Sequence, residues 1–149
     1  MLVEVKAKVS RVIDSKTRKT TETYLIDNVE LFSQAEYRVM SILVHEQEDG
    51  IVENFELQSL RLSPIKEVAT QFLNDGEHSF IAALEDIFTD DAGNEKHLRY
   101  NVLLWADSLT EADSRAHSLA RQGYNMLIQG IRQADYIYQN HITDENSNS

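Results

Sequence analysis

Ser33-Gln-Ala-Glu-Tyr-Arg-Val-Met-Ser-Ile-Leu43 and Thr110-Glu-Ala-Asp-Ser-Arg-Ala-His-Ser-Leu-Ala120 are the two stretches on which the fold turns. Each opens on a hydroxyl residue with a carboxylate three positions later, Glu36 in the first and the shorter Asp113 in the second. That is the capping-box spacing, in which each side chain satisfies a free backbone N–H at a helix start. Each then carries one apolar stripe at i, i+4, i+7 and i+8: Ala35, Val39, Ile42 and Leu43, then Ala112, Ala116, Leu119 and Ala120. Two amphipathic helices follow, starting at Ser33 and Thr110. The first should end near Gln47, before Glu48-Asp49-Gly50, and the second at Gly123, where a C-terminal cap belongs. The stretches superpose at an offset of 77, which sets Arg38 on Arg115.

Working outward, the same offset sets Val3 on Phe80. Val3, Val5, Ala7 and Val9 alternate with Glu4, Lys6, Lys8 and Ser10, the period of a strand buried on one face. Residues 14–19 are polar and suit a hairpin tip, with Lys16, Arg18 and Lys19 making it basic; Thr21 to Ile26 is the returning strand. Asn54 to Leu62 is a third strand whose apolar phase slips from Phe55/Leu57 to Leu60/Leu62, marking a bulge around Gln58-Ser59. Past Pro64 the spacing is mixed, and 64–73 is either a short helix or a crossing segment. The order then starts again, with strands from Phe80 to Phe88 and Leu98 to Trp105 around a turn at 90–94, the second helix, and a strand from Asn125 to Arg132. Tyr136-Ile137-Tyr138 continues beyond a break. An offset of 71 brings Leu60-Arg61 onto Ile131-Arg132.

The expected fold is therefore α+β: a duplicated β-β-α-β unit forming a pseudo-two-fold antiparallel sheet architecture with two helices. The expected boundaries are 1–73 for the first lobe, 74–79 for a linker, 80–142 for the second lobe, and 143–149 for a polar, disordered tail. A single helix covers only one face of a three-stranded sheet, so strand edges and a second face are left for pairing or for a homo-oligomer.

Thr21-Glu-Thr-Tyr-Leu-Ile-Asp27, Phe32-Ser-Gln-Ala-Glu36 and Leu60-Arg61 with Ile65 to Val68 carry a resemblance. The chain resembles a small family of domains of unknown function found in bacteria and their phages, with a Tyr-Leu-Val-Asp strand end and a Phe-Thr-Glu-Ala-Glu helix start. It departs from that pattern by one extra residue between Asp27 and the helix and by Trp105-Ala106 in the second half. The resemblance implies a phage or mobile-element setting and brings no catalytic residue with it.

Composition narrows the function classes. Fourteen Lys+Arg against 25 Asp+Glu give a net charge of −11, which disfavours direct nucleic-acid and anionic-membrane binding. With no Cys there is no disulfide, thiol nucleophile or thiolate metal site. No apolar run approaches the roughly 20 residues of a membrane span, and the N-terminal alternation is unlike a signal peptide. A cytoplasmic location is expected, in the host cell if the chain is phage-encoded. His45, His78, His97, His117 and His141 lack metal-binding spacing, and no nucleophile elbow or phosphate-binding Gly-rich loop is present. No catalytic residue, metal or cofactor is expected.

Arg61 and Arg132 each close the third strand of their half, and two guanidinium groups suit a ligand with two phosphates. Tyr100, Trp105, Tyr136 and Tyr138 are the aromatics placed to stack on a base. These six residues form the candidate ligand site. The expected function is non-enzymatic: binding of a small nucleotide ligand, as a sponge for a nucleotide signal of host immunity. The alternative is an acidic protein-interaction module or DNA mimic that engages a host protein.

Overall fold

The computed structural model describes residues 1–122 and 126–141. Eight strands and two α-helices follow the order β1 (Val3–Ile13), β2 (Lys16–Asp27), α1 (Phe32–Glu48), β3 (Val52–Leu62), β4 (Ile65–Val68), a 3-10 turn (Thr70–Phe72), β5 (His78–Thr89), β6 (Glu95–Ala106), α2 (Leu109–Gln122), β7 (Met126–Gln133) and β8 (Tyr136–Asn140). The class is α+β, and the order hairpin, helix, strand occurs twice. No helix among the described residues is long and apolar enough to cross a membrane.

Two four-stranded sheets form, ordered β3-β1-β2-β8 and β4-β6-β5-β7. Three strands of each are antiparallel as expected, but the fourth is parallel: β8 on β2 and β4 on β6. Both sheets are therefore mixed. The outer strand of each is also exchanged along the chain, since β4 follows β3 yet joins the later sheet, while β8 follows β7 yet joins the earlier one. Accordingly the chain divides into Met1–Ser63 with Tyr136–Ser149, and Pro64–Asp135. This corrects the boundaries read from sequence. Residues 64–73 belong with the second unit, residues 136–141 with the first, and His78 and Ser79 are strand rather than linker. The expected tail at 143–149, the Gly123 cap and Asn125 lie outside the described residues.

In the first unit Val3, Val5, Ala7 and Val9 of β1 meet Tyr24 and Ile26 of β2 and Ala35, Val39 and Leu43 of α1 in one buried cluster. The alternation of β1 thus does what its period requires: odd positions pack under the helix, and even ones face the other way. In the second unit Phe80, Ala82 and Leu84 pack with Val102, Leu104, Ala112 and Ala116. The β1–β2 turn is only Asp14-Ser15, both at positive φ (52° and 65°), so the strands run on through the lysines to the tip. Consecutive left-handed residues give a two-residue turn whose twist matches that of the strands. The expected bulge is present: Lys6 pairs with Ser59 and Ala7 with Leu57, leaving Gln58 out. The second sheet has the same irregularity, with Gln129 left out between the Ala83–Gly130 and Leu84–Ile128 pairs.

Both helices start earlier than the capping-box reading predicts. α1 begins at Phe32, with the Gln34 side chain accepting from the Leu31 N–H at 3.0 Å and the Glu30 N–H at 2.7 Å. α2 begins at Leu109; Ser108 Oγ accepts from the Glu111 N–H and Glu111 from the Asp107 N–H, each at 3.2 Å. Ser33 and Thr110 lie inside the first turn because Gln34 in α1, and Ser108 with Glu111 in α2, satisfy the free N–H groups there.

Candidate functional site: the helix-free sheet faces

A helix covers one face of each sheet, so the chemistry of the other face is decided by the alternate residues. In the first unit, register places Glu4, Lys6, Lys8 and Ser10 of β1 beside Lys19, Thr21, Thr23, Leu25 and Asp27 of β2 and Arg61, Ser59, Glu56 and Asn54 of β3. Tyr136, Tyr138 and Asn140 of β8 complete that face.

Its base is a closed network. The Glu4 side chain is 1% exposed. One of its oxygens accepts from Arg61 Nε at 3.0 Å and Nη2 at 2.9 Å. The other accepts from Ser63 Oγ and Tyr136 Oη, both at 2.9 Å. A buried carboxylate is stable only when its lone pairs are satisfied, and here they are. Beside it Tyr138 donates to Asp27 at 2.8 Å; burial, then this bond, pushes its phenol above the ordinary tyrosine range.

Toward the hairpin tip the same face opens. Lys6, Lys8 and Lys19 are exposed on adjacent strands, with Ser10 and Lys19 directly opposite each other. A shallow hollow of about 260 Å³ is lined by Lys8, Ser10, Lys19, Asn54 and Glu56, among others. None of the three lysines forms an ion pair with a described residue. Three ammonium groups thus share this part of the face with one carboxylate, Glu56, opposite Lys8, on a chain of net charge −11. Arg11, on the helix-covered side, differs: Glu22 and Glu46 both engage its guanidinium. Burial alone would raise the Glu22 carboxyl, but bonds from Arg11 and Tyr24 hold it below its usual value.

In the second unit the helix-free face carries Glu85, Arg99, His97, Asn101 and Arg132. Arg99 Nε donates to Glu85 at 2.8 Å and His97 Nδ1 engages the other oxygen. The hydrogen bonds from His97 and Arg99 lower the Glu85 carboxyl, and the bond to Glu85 raises the His97 imidazole. Among the described residues no cluster of His, Asp and Glu has the arrangement of a metal site.

The six residues expected to bind a ligand are distributed as follows. Arg61 and Tyr136 come together, but on Glu4 rather than around open space. Tyr138 shares their face. Trp105 is 4% exposed, so it offers no open stacking surface, and its carbonyl accepts from Arg115 at 2.7 Å. Tyr100 lies on the opposite face from Trp105, packed against the core beneath α2, with Lys66 Nζ 5.4 Å from its ring centre. Arg132 is exposed on β7, opposite Ile81. Sequence reasoning noted the basic tip but not that Lys6 and Lys8 share a face with Lys19; the alternation of β1 contained that signal.

One apolar surface stands apart. Tyr37 (74% exposed), Met40 (38%) and Val44 (40%) run along the solvent side of α1. All belong to a single helix, so this is an open strip rather than a cavity.

A family model describing a domain of unknown function, DUF4494, matches residues 2–137. The chain belongs to the DUF4494 family. The match spans both units, so the exchanged strands β4 and β8 lie within the DUF4494 domain or, for the last three residues of β8, just past its end. No curated protein and no solved structure matches the chain.

Proposed function

We propose that this DUF4494 protein is a non-catalytic binding protein that takes a phosphate-bearing small molecule, a nucleotide in particular, on the open part of the first sheet's helix-free face. The observation carrying this reading is the triad of Lys6, Lys8 and Lys19: three exposed ammonium groups on neighbouring strands, none in an ion pair with a described residue, with Glu56 the carboxylate beside Lys8. Ser10, Thr21, Thr23 and Asn54 add hydroxyl and amide donors beside them, the donor set a phosphate needs. Arg61, Tyr136 and Tyr138 contribute by holding the base of the face, through Glu4 and Asp27, rather than by touching the ligand. The non-catalytic reading is supported by the saturation of Glu4, which has no lone pair left to take a proton from a substrate.

In the phage setting that the family resemblance implies, such a protein in the host cytoplasm acts by depletion, holding a nucleotide signal of host immunity stoichiometrically. The test is a thermal-shift screen with cyclic dinucleotides, ADP-ribose derivatives and nucleoside triphosphates. A ligand at about 100 times its Kd stabilises by about 2.7 kcal/mol, or about 5–10 °C in a chain of this size. No shift with any member of the panel would remove the reading.

The second reading, a protein-interaction module, is favoured by the exposed Tyr37, Met40 and Val44 strip. A host protein captured by the wild-type chain but not by a Tyr37→Ser, Val44→Ser variant would favour it over nucleotide binding.

A further inference from the structure

The second unit holds a guanidinium group that is positioned but only partly used. Arg99 is 77% exposed, yet its Nε is fixed at 2.8 Å on Glu85, whose side chain is 5% exposed. Nη1 and Nη2 have no partner among the described residues. A guanidinium tethered through Nε presents its Nη1–Nη2 edge in a fixed direction, and that edge matches two oxygens of one anion. Next to it is a hollow of about 330 Å³ lined by Arg99, Asn101, Gln129, Ala83 and Pro64, among others. Asn101 lies two residues along β6 on the same face as Arg99. Gln129 is the residue that the β7 bulge leaves unpaired, and a bulge is a device for re-aiming a side chain. Neither amide forms a hydrogen bond with another described residue.

We infer that this hollow is an oxyanion subsite, in which the Nη1–Nη2 edge of Arg99 takes two oxygens of a small ligand's carboxylate or phosphate and the Asn101 and Gln129 amides bond its remaining polar atoms. The volume lies at the lower end of the range for small-molecule sites, so the ligand is a compact metabolite rather than a polymer. Glu85 and His97 are positioning residues here: they hold the guanidinium and do not touch the ligand. The inference is independent of the lysine face, because it uses other residues on another sheet.

Ligand-observed NMR on the full chain tests it, with succinate and citrate as the carboxylate arm, inorganic phosphate and glycerol phosphate as the phosphate arm, and uncharged amide and alcohol analogues as controls. The expected result is binding within one anionic arm and none by the analogues. Affinity should fall roughly tenfold or more in Arg99→Gln and partly in Arg99→Lys, which keeps the charge but loses the two-pronged geometry. It should persist in Lys8→Gln, Lys19→Gln, which separates this site from the lysine face. Circular dichroism establishes that each variant is folded. Equal binding by wild type and Arg99→Gln, or no binding in either arm at about 10 mM, would overturn the inference.

Discussion

Tyr136→Phe removes one oxygen, and the structure indicates what that oxygen does. Tyr136 Oη donates at 2.9 Å to a carboxylate 132 residues away in sequence, and that carboxylate, Glu4, is 1% exposed. The variant keeps the ring and removes the hydrogen bond that the hydroxyl gives to a buried charge. Such bonds are worth about 1.5–3 kcal/mol. Ser63 still serves the same Glu4 oxygen and Arg61 the other, which places the expected loss near the middle, about 2 kcal/mol. For a chain of this length that is about 6 °C in Tm, measurable by calorimetry or urea unfolding. A Glu4→Gln background is the control: an uncharged amide tolerates the missing hydroxyl better, so Tyr136→Phe should cost less than about 1 kcal/mol there. A loss under about 0.5 kcal/mol in the wild-type background, or equal losses in both, would refute the Glu4 network. It would also refute the parallel seating of β8 on β2 that brings Tyr136 to it.

The remaining predictions address separate features. Gly76→Ala should cost about 3 kcal/mol or more, because a Cβ there would lie 2.3 Å from the Ala106 carbonyl carbon at φ +148°; Gly93→Ala, at φ +84° with open space around it, should cost about 1 kcal/mol, and chemical denaturation ranks the two. In an NMR pH titration His97 should titrate above the ordinary value of about 6.5 and return toward it in Glu85→Gln. A raised imidazole stabilises the fold below its unfolded value and loses that effect as pH rises through the folded one, while the lowered Glu85 stabilises above its unfolded value and loses it on acidification. The pair is thus at full strength between about pH 4.5 and 6.5, and a His97 that titrates normally would contradict it. Tyr37→Ser should change stability by less than about 0.5 kcal/mol, since its side chain is solvent-exposed; a larger loss by thermal denaturation would mean that the strip is covered.

Much of this architecture was legible from periodicity. The β1 alternation put Val3, Val5, Ala7 and Val9 on one buried face, the face that packs under α1, and the phase slip after Leu57 located the Gln58 bulge. The two apolar stripes found both helices, because a buried face must recur at the helical period whatever the loops do. Helix starts were missed by a residue or two, since Gln34 and Ser108 cap as well as Ser33 or Thr110 would. The exchange of β4 and β8 left no local signal: a strand of four or five residues looks the same whichever sheet it joins. That omission propagated to the site. Without the seating of β8, Glu4 is one polar position in the β1 alternation, and Arg61 is a candidate to hold a phosphate. Tyr100 and Trp105 cannot serve one ligand from one sheet face, because five residues apart on one strand puts them on opposite faces.

The most direct test of the binding account is isothermal titration of a nucleotide, ATP and a cyclic dinucleotide in parallel, into wild type and a Lys6→Gln, Lys8→Gln, Lys19→Gln variant at two salt concentrations. The account predicts stoichiometric binding that weakens as salt rises and falls at least roughly tenfold in the variant, while Arg61→Gln alters stability more than affinity. Undiminished affinity in the triple variant, or a loss of binding caused by Arg61→Gln without a loss of stability, would contradict it.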